Sequence, residues 1–210
     1  MATLLHPPVR RAETIERLTH DDFMCLAPED KKAELIDGEI IIPTPAFYSH
    51  ERLQRFLVTV ISVYVSRYSL GEVLGSRYAV RISEGHTYEP DILFVRRDRL
   101  HLITEQELLE APDLVIEIIS ASTARYDRGP KRENYEKAGV QELWLIDPYG
   151  PAGTQFYQRQ GDRLVEVAPV EGMIHSVALL NFKLKTDWLW PDENGELPNP
   201  LDVLRELGAV

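Results

Sequence analysis

Leu114-Val115-Ile116-Glu117-Ile118-Ile119 is an unbroken apolar run but for one carboxylate, Glu117. Such a run is too short for a core helix and shows no alternation. It reads as a central strand buried on both faces. Burying a carboxylate there costs several kcal/mol unless a cation compensates. The cation could be an Arg or Lys, or a metal ion.

Outward from this strand, the C-terminal side carries a helix from about Asp127 to Ala138. Pro130 suits its first turn and Gly139 its C-terminal stop. Leu143-Trp144-Leu145-Ile146 is a second buried strand. On the N-terminal side, Tyr78–Ile82 and Asp91–Val95 read as strands, and 104–110 as a short helix or turn. Leu53, Phe56, Leu57, Val60, Ile61, Tyr64 and Val65 give 50–68 the period of an amphipathic helix. Asp37-Gly38 between β-prone runs marks a hairpin over 32–42. Thr19, with Asp22 three residues on, caps a short helix that ends near Ala27-Pro28. Beyond Gly153, stretches at 155–157, 163–167 and 181–184 read as antiparallel strands, and 200–207 as a short helix. The expected fold is mixed α/β (α+β): a mixed sheet flanked by helices, with a C-terminal antiparallel β extension. One domain spans 13–210 after a loose tail at 1–12.

The 210 residues carry a net charge of −11. That argues against a sequence-independent nucleic-acid coat, which needs a basic field, but allows an enzyme with a local basic rim. Arg96, Arg97 and Arg99, then Arg125, Arg128, Lys131 and Arg132, could form such a rim or be solvated faces. The lone cysteine, Cys25, excludes an internal disulfide and reads as a small core residue. The N-terminus lacks a signal-peptide pattern and no apolar run is long enough to span a bilayer, so the expected location is the cytoplasm, with no membrane partner.

Asp91 opens one strand and Glu117 lies in another. Two carboxylates on adjacent strands can share one hard cation, and Mg²⁺ typically takes one or two carboxylates and keeps several waters. Lys131 sits in the first turn of its helix, where the dipole disfavours it. It either pairs with Asp127 at the surface or points at the strand carrying Glu117. Asp127, Lys131 and Tyr135, four apart, share a face. Glu34, before the hairpin turn, is a further acid, and His50 stands at a helix start. This set suits phosphodiester hydrolysis. Asp91, Glu117 and the Ile118 carbonyl would hold Mg²⁺ (or Mn²⁺), Lys131 would neutralise developing charge, and Glu34 would hold a second ion or accept a proton.

The ordered set Glu34-Leu-Ile-Asp-Gly-Glu-Ile40, Ser49-His50, Glu89-Pro90-Asp91, Ala111 to Ser120 with Ser122-Thr123, Tyr126-Asp127-Arg128-Gly129-x-Lys131, Tyr135, and Ala138 to Pro148 resembles the Uma-two family of restriction endonucleases, over about 19–158. That family is similar to the PD-(D/E)XK nucleases. The resemblance implies a restriction-endonuclease-like core and metal ligation by Asp91 and Glu117. It departs in one place: the superfamily lysine two residues past the second acid is Ile119 here, so Lys131 would substitute. The expected function is a Mg²⁺-dependent endonuclease acting on DNA as a homodimer, with His50, Arg128 and Tyr135 contacting substrate. The alternatives are a non-catalytic nucleic-acid- or protein-binding member of the fold, and a hydrolase for another phosphate ester.

Overall fold

A computed structural model describes residues 17–28, 30–120 and 123–210. The expected tail at 1–12 and the motif residue Ser122 lie outside them. Helix α1 (His20–Leu26) starts where its cap predicts: Thr19 Oγ1 accepts from Asp22 N–H, and the Asp22 carboxylate accepts from Thr19 N–H. The helix buries His20 and Phe23. Cys25, two residues past Phe23, falls about 200° round the helix from it and is exposed. The core reading of Cys25 is therefore corrected.

Strands β1 (Glu34–Ile36) and β2 (Glu39–Ile41) form the hairpin. Asp37 and Gly38 take the positive φ that its turn requires, 51° and 78°. Helix α2 (Tyr48–Tyr68) buries the same seven apolar residues that set its period. Strands β3 (Gly71–Gly75), β4 (Ala79–Ser83), β5 (His86–Tyr88), β6 (Ile92–Arg96), β7 (Glu107–Leu108) and β8 (Leu114–Ile118) follow. The stretch 104–110 is not a helix. The Thr104 hydroxyl turns it through hydrogen bonds with Gln106 and Glu107, and β7 pairs parallel with β4.

Helix α3 (Ala124–Tyr126) runs through a wide π-type turn at Asp127–Lys131 into α4 (Arg132–Ala138). Gly129 leaves helical dihedrals there (φ −107°, ψ −105°), just before Pro130. Gly139, at φ 97°, ends α4. Then come β9 (Glu142–Ile146), β10 (Gln155–Gln160), β11 (Arg163–Val167), β12 (Met173–His175), β13 (Lys183–Lys185) and α5 (Pro200–Glu206).

One sheet has the order β11-β10-β9-β8-β6-β3 and another β2-β1-β5-β4-β7. In the first, only β8 and β9 run parallel, joined by the helical crossover. β13 pairs with β12 in a separate two-stranded sheet rather than extending the meander. On the six-stranded sheet, Ile92, Phe94, Leu114, Ile116, Ile118, Trp144 and Ile146 face α2 and α5. Val115, Ile119, Leu143 and Leu145 face the other way, with Tyr135 of α4 and Tyr88 of the five-stranded sheet. By parity Glu117 shares that second face, in the cleft between the two sheets. No helix of the described residues is long and apolar enough to cross a membrane.

Candidate active site

β6 and β8 pair antiparallel, with Ile92 opposite Ile116. One step further, the same register brings Asp91 opposite Glu117, on one face of the sheet. The pleat thus sets two carboxylates side by side at the end of the strands. Asp91 is pinned by three donors. The Ile118 N–H reaches Oδ2 at 2.9 Å, His50 Nε2 lies 3.1 Å from Oδ2, and Lys32 Nζ donates to Oδ1 at 2.8 Å. Gln54 of α2 fixes the Asp91 carbonyl at 2.8 Å. In an extended strand the N–H and C=O of one residue project to the same edge. The Ile118 N–H points at Asp91, so its carbonyl faces that side as well.

Glu117 Oε1 accepts from the Tyr135 hydroxyl at 2.7 Å and lies 2.8 Å from Lys131 Nζ. The same ammonium donates to Glu34 Oε1 at 2.7 Å and sits 5.1 Å from the centre of the Tyr88 ring. Lys131 and Tyr135, four apart, thus converge on one oxygen. Asp127 Oδ1 is 4.0 Å from the ammonium, inside the protein rather than at its surface. Lys131 is 3 % exposed. Glu34 also accepts from Glu89 N–H, and Glu89 accepts from Ala33 N–H.

Five carboxylates, those of Glu34, Glu89, Asp91, Glu117 and Asp127, are buried here against Lys131 and the partly buried Lys32. The imbalance shows in their acidities. Burial pushes Glu117 up to about 7 against the pull of Lys131, and the charge of Asp91 adds to the rise. Burial also raises Glu89 and Asp127. Burial would raise Asp91 too, but Lys32 and His50 outweigh it and hold the group below the usual carboxylate range. Lys131 is desolvated, yet Glu117, Glu34 and Asp127 keep it well above an ordinary ammonium, so it stays charged.

Among the described residues no three His, Cys, Asp or Glu side chains form a ready ligand cage. The donor set that fits a divalent ion is smaller: Asp91, Glu117, the Ile118 carbonyl and waters, which is the set Mg²⁺ prefers. The surplus of buried negative charge is what such an ion would relieve.

Two of the expected substrate contacts have partners within the protein. Tyr135 is 1 % exposed and spends its hydroxyl on Glu117. Arg128 donates to the Gly153 carbonyl at 2.7 Å, which turns it toward the loop after β9. Within the expected basic rim, Arg96 and Arg99 pair with Asp113. Lys32 and Gln54 stand outside the residues that the sequence singles out, and Glu89 enters there only within the Glu89-Pro90-Asp91 motif. Gln54 was within reach, because it stands four residues past His50 on one helix face.

A family model, Uma2, described as "Putative restriction endonuclease", matches residues 20–187. The chain belongs to the Uma2 family. The uncharacterized protein sll1609 of Synechocystis is 29 % identical over 135 residues, covering 63 % of this chain and 75 % of that protein. The crystal structure of a "putative nuclease belonging to DUF820" from Anabaena variabilis has a TM-score of 0.67 at 23 % identity, over 82 % of this chain and 97 % of that one. That likeness establishes the fold. The Uma2 match contains Glu34, His50, Asp91, Glu117 and Lys131.

Proposed function

We propose that this Uma2 protein is a metal-dependent nuclease that hydrolyses phosphodiester bonds, with Asp91, Glu117 and the Ile118 carbonyl holding Mg²⁺ or Mn²⁺. The supporting observation is the Asp91–Glu117 pair, set opposite each other on adjacent strands in a pocket with more buried carboxylates than cations. The ion would supply a water of lowered pKa and polarise a phosphoryl oxygen. The Ile118 N–H and His50 orient Asp91. Tyr135 orients Glu117; burial and the charges of Glu117 and Glu34 push its hydroxyl well above an ordinary phenol, so it remains a donor. Lys131, fixed between Glu34 and Glu117, offers a positive charge beside the reacting phosphate. The reading extends to DNA as substrate and a homodimer as the working form.

A second reading, a non-catalytic binding member of the fold, draws on the lysines already seated on both acids. Mn²⁺ calorimetry separates the two. Binding by the wild type that is lost in Asp91→Asn and Glu117→Gln supports the nuclease and justifies a substrate screen. Folded protein that ignores millimolar Mn²⁺ with and without oligonucleotide supports the second reading.

A further inference from the structure

The two lysines of the pocket are held differently. Lys131 is buried, bridges acids from two sheets and lies against an aromatic ring. Lys32 precedes β1, holds one carboxylate, and leaves a quarter of its side chain exposed, 25 %. Its partner Asp91 also has two unlike oxygens. Oδ2 is occupied by the Ile118 backbone N–H of β8 and by His50 of the first turn of α2. These groups ride on rigid elements. Oδ1 takes the Lys32 ammonium, on a flexible four-carbon stem. A divalent ion shared by Asp91 and Glu117 needs an Asp91 oxygen, and Oδ1 is the one whose present donor can leave. An ammonium and a divalent cation repel each other and do not share that oxygen.

We propose that Lys32 is a resident counter-ion: its ammonium holds the place on Asp91 Oδ1 that a divalent ion takes, and moves outward when the ion binds. The inference rests on the metal-dependent reading above. It explains why a lysine with no place in that mechanism is seated on a proposed ligand, and why it is the more exposed of the two. It makes the ion-free pocket a stable state of the protein, since Asp91 is never left without a cation.

Mn²⁺ titration calorimetry on the full chain tests it, with Lys32→Met and Lys32→Arg beside the wild type and the fold checked by circular dichroism. Removing a competitor that fills the site raises apparent affinity, so Lys32→Met should bind at least about tenfold more tightly. Lys32→Arg should stay near the wild type. Affinity in Lys32→Met equal to or weaker than that of a wild type that binds overturns the counter-ion role and leaves the metal site standing. No binding in any of the three proteins overturns both. Acylation of the wild type with an amine-reactive reagent, read by mass spectrometry, gives a second measurement should Lys32→Met not fold. Labelling of Lys32 that rises on adding Mg²⁺, with Lys131 unchanged, supports the displacement. Lys32 labelling that stays flat or falls overturns it.

Discussion

Glu142 and Glu117 sit on neighbouring parallel strands, both buried, and their surroundings are opposite. Glu142, at the start of β9, is fully enclosed. Its Oε1 accepts from the Trp144 indole at 2.9 Å and Gln158 at 3.3 Å; its Oε2 accepts from the Ser176 hydroxyl and from the N–H groups of Val177 and Ala178, both at 3.0 Å. Those donors are all neutral, and they tie the chain beyond β12 to the central sheet. Glu117, near the end of β8, has one phenol, a shared ammonium and too many acidic neighbours. A carboxylate can be buried because dipoles satisfy it or because a cation will. The first kind holds a fold together, and the second kind marks a place where a charge is wanted.

The comparison can be broken in four ways. The largest effect is expected for Glu142→Ala. It strands two backbone N–H groups, an indole and a hydroxyl, and should cost about 4–5 kcal/mol in urea unfolding, with Mn²⁺ affinity per folded molecule unchanged. Glu117→Gln should do the reverse. It should abolish ion binding and slow any cleavage at least about 1000-fold, some 4 kcal/mol of barrier, while the ion-free protein gains on the order of 1 kcal/mol. Destabilisation on the scale of Glu142→Ala would reduce Glu117 to a structural ion-pair partner.

The third test is pH. The folded pKa of Glu117 is raised, to about 7 from 4.5. Its stabilising contribution is complete below 4.5 and is lost as pH rises through about 7. Glu89 and Asp127 are also raised and act in the same direction. Asp91, lowered, acts only below its ordinary value of 3.8. In EDTA the melting temperature should therefore fall between pH 5 and pH 8. Ion affinity should run the other way, dropping about tenfold per pH unit below 7, because the ion needs the carboxylate. A melting temperature that climbs across that window in EDTA would contradict the charge imbalance. The smallest effect is expected for Tyr135→Phe. Losing one charge-assisted hydrogen bond should cost about 1.5 kcal/mol and weaken Mn²⁺ binding a few-fold by calorimetry. An unchanged ion affinity would mean that the phenol does not position Glu117.

Much of this was legible because buried charge is rare. Glu117 stands out from its apolar strand, and the spacing of Asp127, Lys131 and Tyr135 already places them on one face. Long periodic elements such as α2 were equally clear. Short ones such as β3 and β7 were not: they are five and two residues long, and they pair with β6 and β4, across other elements of the chain. Lys32 could not be picked out, since nothing in Lys31-Lys32 separates a seated ammonium from a solvated one. Arg128 and Tyr135 were placed by motif, and which way a side chain turns inside a motif is settled by packing.

Lys131 draws Glu34 of one sheet and Glu117 of the other onto a single ammonium. The hairpin of β1 and β2 is therefore fastened to the central sheet partly by the groups that would do the chemistry. Whatever takes Glu117 away from Lys131 also loosens that fastening, and the hairpin should open more often. Amide hydrogen exchange at Leu35 and Ile36 would count those openings, so the occupancy of the pocket would be written into the local breathing of that hairpin.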